Sequence, residues 1–60
     1  RWLYRQIANF GGPLQETALL VLAQDLSHAE AAQALGVKEG TVSWRMGEVK
    51  KRLKAMAQHD

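Results

Sequence analysis

Residues 27–46 read SHAEAAQALGVKEGTVSWRM, and this stretch decides the fold. Ser27 and Glu30 have the spacing of a capping box, in which each of the two side chains accepts a hydrogen bond from the other residue's backbone N–H at the start of a helix. Gly36 stands where that helix should end, because glycine readily adopts the left-handed conformation that stops a helix. A second helical pattern starts close behind it. The stretch therefore predicts two helices joined by a very short turn, over 28–35 and 39–56.

The residues of this stretch also suit two helices that cross at close range. Ala32 is small enough to let the second helix approach, and Val37 and Val42 can fill the angle between the two helices. A close crossing and a glycine-containing turn are what a helix-turn-helix requires. The pattern therefore predicts that motif, with a plain helical hairpin that has no role in DNA binding as the alternative.

Two further helices are predicted upstream. Leu3, Ile7 and Phe10 recur at i, i+4 and i+7 on one face of a helix over 2–10, which the following Gly-Gly-Pro stops. The next helix, over 13–24, is apolar nearly all round, so it must be covered on more than one side. We expect burial within the domain, with coverage by a partner protein as the alternative. The fold is thus predicted to be all-α, a small bundle of about four helices containing a helix-turn-helix.

The last helix is predicted to have one narrow apolar stripe and an opposite side of mainly polar residues. At 100° per residue the stripe is formed by Val42, Met46, Val49, Leu53 and Met56. The opposite side carries Ser43, Trp44, Gly47, Glu48, Lys51 and Lys54. We expect the stripe to face the core and the other side to face outward.

Basic charge is concentrated at the C-terminal end of the chain. The formal net charge is only +2, but residues 38–54 hold six basic residues against two acidic ones. Basic charge gathered in one segment is the electrostatic footprint of an anionic partner such as nucleic acid. A solvated charged helix face gives the same pattern and is the alternative.

Composition argues against several classes of function. Without cysteine, neither a disulfide nor a thiolate metal site can form, which fits a cytoplasmic protein. No apolar run is long enough to span a bilayer, and no cleavable signal is visible. His28 and His59 have no third ligand near them, and no nucleophile or acid–base arrangement is present. We therefore expect no enzyme activity, metal, cofactor, small-molecule substrate or membrane partner.

Nearly the whole chain resembles part of a known family. Residues 25–56, DLSHAEAAQALGVKEGTVSWRMGEVKKRLKAM, resemble region 4 of the sigma-70 superfamily of bacterial RNA polymerase sigma factors, and the extracytoplasmic-function type most closely. The matching residues are Leu26, Ser27, Glu30, Ala31, Ala32, Leu35, Gly36, Val37, Gly40, Thr41, Val42, Arg45 and Leu53. Upstream, PLQETALLVLAQDLS resembles the segment that precedes the motif in the family. Because the chain starts at Arg1, we expect residues 1–60 to be one domain from the C-terminal part of a longer protein.

The resemblance implies a function in transcription initiation. The last helix would be the recognition helix, lying in the major groove of the promoter −35 element. The second and third helices would support it and offer apolar surface to the RNA polymerase core or to an anti-sigma factor. The DNA-binding residues would be Lys38, Thr41, Ser43, Trp44, Arg45, Gly47, Glu48, Lys51 and Lys54. The lysines, Lys50 among them, would neutralise phosphates, which strengthens binding without reading sequence.

Three residues of the last helix depart from the family pattern. Gly47 and Glu48 stand where two basic residues are frequent, and Trp44 stands where a serine is frequent. These departures motivate one alternative, a sigma-like module that binds an anti-sigma factor or polymerase and does not read DNA. A LuxR-type DNA-binding effector domain is a second alternative, although Arg45 stands where that type usually has histidine. Arg45 itself can contact a phosphate or pair with Glu30.

Overall fold

Four α-helices follow one another in the computed structural model, which describes residues 2–58. They are α1 (Trp2–Ala8), α2 (Gly12–Ala18), α3 (His28–Leu35) and α4 (Glu39–Ala57). α2 continues without a break into a π-helical turn, Leu19–Ala23. No strand is present among the described residues. The prediction of a small all-α fold of about four helices is therefore confirmed.

α1 ends two residues before the predicted boundary. The N–H groups of Asn9 and Phe10 bond to carbonyl oxygens three residues back, at 3.0 and 3.1 Å, so the last predicted turn is tighter than an α-helix. Gly11 and Gly12 then take positive φ angles of 70° and 56°. Pro13 follows in the first turn of α2, where a missing N–H leaves no helical bond unmade.

The second predicted helix is α-helical only over its first part. From Leu19 onward the backbone hydrogen bonds span five residues and no longer four. The N–H of Gln24 donates to the carbonyl oxygen of Leu19, five residues back, at 3.0 Å. The N–H of Leu26 then donates to the carbonyl oxygen of Leu20 at 3.0 Å. Between them Asp25 adopts a left-handed φ of 61°, which few residues other than glycine do. The prediction of one α-helix over 13–24 is corrected accordingly.

α3 has the two ends that the sequence predicts. The N–H of Ser27 donates to Oε1 of Glu30 at 2.8 Å, and the N–H of Glu30 donates to Oγ of Ser27 at 3.0 Å, which completes the capping box. At the other end Gly36 is left-handed, with φ 70° and ψ 32°. The N–H of Val37 donates to the carbonyl oxygen of Ala32 at 3.0 Å, as in a Schellman motif. α4 begins after a turn of three residues, 36–38.

The core consists of two groups of buried residues that α4 connects. The first, which we call the turn cluster, is formed by Ala31, Ala32, Val42 and Met46. The second, which we call the α1 cluster, is formed by Ile7, Ala18 and Val49. Leu22 packs against both. One face of α4 thus holds α3 near its start and α1 and α2 near its middle, as the apolar stripe predicts.

The apolar helix that we expected to be buried on all sides is only partly covered. Leu19 remains 39% exposed. Ala23 is exposed as well, whereas Leu20, Val21 and Leu22 are half-buried. The expectation of full burial within the domain is therefore wrong, because too few residues remain in so small a bundle to cover the far side of the π-helical turn. Within the described residues, no helix has both the length and the apolar character that a membrane span needs.

Candidate nucleic-acid interface

One side of α4 faces away from the rest of the domain. Val42, Met46 and Val49 are buried with at most 1% exposure, which turns the opposite side of the helix to the surface. That side, which we call the outward face, is formed by Gly40, Ser43, Trp44, Gly47, Glu48, Lys51 and Lys54. All of these are exposed except Glu48, which is half-buried. The orientation predicted from helical phase is therefore the one observed.

Trp44 dominates the outward face. Its side chain is 66% exposed, more than any other large apolar side chain in the described part of the chain. The indole ring therefore does not fold back over the domain. Gly40 and Gly47 lie one helical turn before and after it, and a Cβ at either position would meet no other atom within 4 Å. The ring thus stands between two stretches of bare helix backbone.

Ser43 is tied to the start of α3. Its Oγ lies 2.9 Å from Nδ1 of His28, the first residue of that helix, within hydrogen-bonding distance. His28 is half-buried, and the contact joins the N-terminal end of α3 to the outward face of α4. Sequence reasoning missed this role, because it considered His28 only as a metal ligand. The one available signal was the predicted close crossing of the two helices.

Arg45 lies at the edge of the outward face and contacts α2. Its Nη1 donates to Oγ1 of Thr17 at 3.4 Å. The alternative partner suggested by the sequence, Glu30, is engaged elsewhere, since its carboxylate accepts the N–H of Ser27. Arg45 is only half-buried, and a guanidinium has five N–H donors. It therefore keeps donors that a ligand at the surface can use.

The start of α4 presents a lysine and a half-buried threonine. Lys38 precedes the helix and is exposed, and its side chain makes no capping hydrogen bond. Thr41 lies in the first turn, where its N–H donates to the carbonyl oxygen of Lys38 at 3.0 Å. Lys50 and Arg52 are exposed further along α4. Most of the basic residues predicted to contact DNA are therefore at the surface of one helix.

No group of three residues that could hold a metal ion is found within 2–58. His59, which we considered at the sequence level, lies outside the described residues. The candidate interface thus consists of exposed cations, one indole ring and a serine–histidine pair.

Comparisons with known proteins return no counterpart: no protein-family model matches the chain, and neither a characterised protein nor a solved structure matches it. The resemblance to sigma factor region 4 therefore rests on the residues quoted for it above. The arrangement of α3 and α4 does not depend on that resemblance.

Proposed function

We propose that this domain binds duplex DNA through α4 and, as part of a bacterial alternative sigma factor, recognises the promoter −35 element to direct RNA polymerase to initiation. The observation that carries the proposal is the exposed outward face of α4, which follows α3 after a three-residue turn. In DNA-binding proteins with two helices so joined, the second lies in the major groove and the first crosses the backbone. An α-helix with its side chains is about 10–12 Å wide and fits a groove of about 12 Å.

The charges around this face support an anionic partner. Lys51 and Lys54 lie on the outward face and Lys50 beside it, and all three are exposed. Each is in a position to neutralise a phosphate when α4 lies in the groove. Glu48 is the one acidic residue of the face and is half-buried, so it opposes this attraction less than a fully exposed carboxylate would. His28 lies at the start of α3 beside Ser43 of the outward face, and this end of α3 would approach the sugar–phosphate backbone of the DNA.

A titration at several salt concentrations tests the proposal. The chain is titrated with a fluorescent duplex library of random sequence, and the affinity is measured between about 50 and 200 mM salt, the range over which phosphate contacts weaken strongly. Lys51→Ala and Lys54→Ala should each weaken binding and reduce the salt slope by about 1. Arg5→Ala is the matched control, because Arg5 is an exposed cation on α1 and does not belong to the outward face of α4.

Two outcomes would contradict DNA binding by α4. The first is an absence of affinity at low salt, measured against an established −35-binding domain as the positive control. The second is an effect of Arg5→Ala as large as that of Lys51→Ala, which would mean that net charge alone attracts the duplex.

The incompletely covered π-helical turn favours a second candidate function, that of a protein-interaction module. Leu19 is 39% exposed and adjoins other apolar residues that are only partly buried. By the resemblance, the partner would be the RNA polymerase core. Leu19→Glu should then abolish binding of purified core polymerase and leave the affinity for duplex DNA unchanged. Loss of DNA affinity with unchanged polymerase binding would argue against this candidate.

A further inference from the structure

We propose that Trp44 makes this domain select sites that contain thymine, by packing its indole ring against thymine C5-methyl groups in the major groove. The inference rests on the function proposed above and deepens it. Lysines attract the phosphates of any sequence, whereas an apolar ring at the base edges distinguishes one sequence from another.

The exposed ring provides most of the apolar surface that the outward face can give to a partner. Trp44 is 66% exposed, and an aromatic side chain of this size buries about 150–250 Å² when it is covered. Lys51 and Lys54 are exposed on the same face. The cationic surroundings of the ring are complementary to a polyanion, which favours duplex DNA as the occupant.

The glycines on either side of Trp44 allow the helix to approach a groove closely. A Cβ at Gly40 or Gly47 would meet no other atom within 4 Å, so packing inside the domain does not require glycine at either position. Gly47 lies in the interior of α4, where glycine is less favourable for the helix than alanine. The absence of side chains at these two positions lets the helix backbone around the indole approach the base edges closely.

Among the four bases, thymine is the one that the apolar ring of Trp44 suits best. Guanine is read mainly by arginine or lysine, and adenine by asparagine or glutamine. The outward face has no asparagine or glutamine for adenine, whereas Lys51 and Lys54 can contact guanine and Glu48 can accept a hydrogen bond from cytosine. The C5-methyl of thymine is the apolar group in the major groove, and side chains with apolar surface contact it. An exposed indole therefore matches thymine better than any other base.

Replacement of thymine by deoxyuridine isolates this contact, because the base keeps its hydrogen-bonding groups and loses only the methyl. Duplexes that the chain prefers are first selected from the random library. Each dT of the preferred sequence is then replaced in turn by dU, and the affinity of the chain is measured. At one or two positions we expect a loss of about three- to five-fold, the effect of removing one buried methyl group.

Trp44→Ala provides the decisive comparison. Because the side chain is exposed, the variant should keep its helical content, which circular dichroism checks. Its affinity should be lower, and it should no longer distinguish dT from dU at the sensitive positions. Trp2→Ala is the matched control, since Trp2 is exposed on α1 and should leave the dependence on the methyl intact.

The outcomes separate this inference from the proposed function. If the chain binds duplexes with a clear salt dependence but ignores the methyl groups, or if Trp44→Ala retains the methyl dependence, the thymine contact is overturned and DNA binding stands. If Trp44→Ala binds duplex normally but loses affinity for a protein partner, the ring serves protein docking and the inference is equally overturned. If no duplex binds at any salt concentration, both proposals fail.

Discussion

The guanidinium of Arg45 donates a hydrogen bond from Nη1 to the hydroxyl oxygen of Thr17, 3.4 Å away. The hydroxyl of Thr17 in turn donates to the carbonyl oxygen of Pro13 at 2.8 Å. Thr17 is completely buried and is the one buried polar residue in the described part of the chain. A single hydroxyl therefore connects the edge of the outward face of α4 to the first turn of α2.

Thr17→Val should destabilise the domain, because valine keeps the shape of threonine but can neither accept the Arg45 N–H nor donate to Pro13. We expect the free energy of unfolding to fall by about 1 kcal/mol, the usual net contribution of such a hydrogen bond. In a double-mutant cycle with Arg45→Met, the coupling energy should be about 0.5–1.5 kcal/mol. Urea unfolding of the four proteins provides these values.

Arg52→Met is the control for that cycle, since Arg52 is an exposed cation on the same helix, and the guanidinium that donates to Thr17 is that of Arg45. Its effect should add to that of Thr17→Val within about 0.5 kcal/mol. If the effects of Thr17→Val and Arg45→Met on the free energy of unfolding are also additive, the 3.4 Å contact between the two side chains contributes nothing to stability.

Gly36→Ala should lower stability by about 1 kcal/mol, because the left-handed φ of 70° that ends α3 is unfavourable for alanine. No atom beyond the neighbouring residues lies within 4 Å of the added Cβ, so the cost comes from the local backbone conformation and not from a clash with the packed domain. Gly47→Ala is the matched control. It places the same methyl in open space within a helix and should raise stability by about 0.5–1 kcal/mol. Equal effects of the two substitutions on thermal unfolding would contradict this account of the turn.

Both ends of α3 could be predicted from the sequence, because signals within a few residues determine them. The Ser27–Glu30 capping box forms as its spacing indicates, and Gly36 ends the helix in the expected conformation. The π-helical turn could not be predicted in this way. Apolar residues occupy every side of the segment 19–23, so their periodicity does not indicate whether an N–H bonds four or five residues back.

For the candidate site, too, the sequence predicts the features that depend on one helix but not the contacts between helices. The exposure of Trp44 follows from the phase of the apolar stripe on the same helix. The contacts of Arg45 with Thr17 and of His28 with Ser43 join residues 28 and 15 positions apart, and they depend on how separate helices pack. No pattern within one helix contains that information, so the sequence indicates only a phosphate or Glu30 as partners of Arg45.

Asp25→Gly should stabilise the domain by about 0.5–1 kcal/mol, since glycine adopts the observed φ of 61° without the steric cost borne by a side chain. Gln24→Gly is the matched control at the neighbouring exposed position, where φ is −99°. Glycine gains nothing there and should destabilise by increasing the entropy of the unfolded chain. Thermal unfolding distinguishes the two variants. If both are destabilised, the side chain of Asp25 makes a stabilising interaction that outweighs the cost of its left-handed backbone.

Met46→Ala should largely unfold the domain. Met46 is 1% exposed and lies in the turn cluster, where α4 packs against α3. Truncation of a buried methionine costs about 2–5 kcal/mol, and a core of this size stabilises a domain by only about 3–5 kcal/mol. Met56→Ala removes the same atoms from a half-buried position near the end of α4 and should cost less than about 1.5 kcal/mol. The midpoint of thermal unfolding, followed by circular dichroism, should therefore fall far more for Met46→Ala. Similar shifts for the two variants would show that the contact between α3 and α4 does not depend on a packed core.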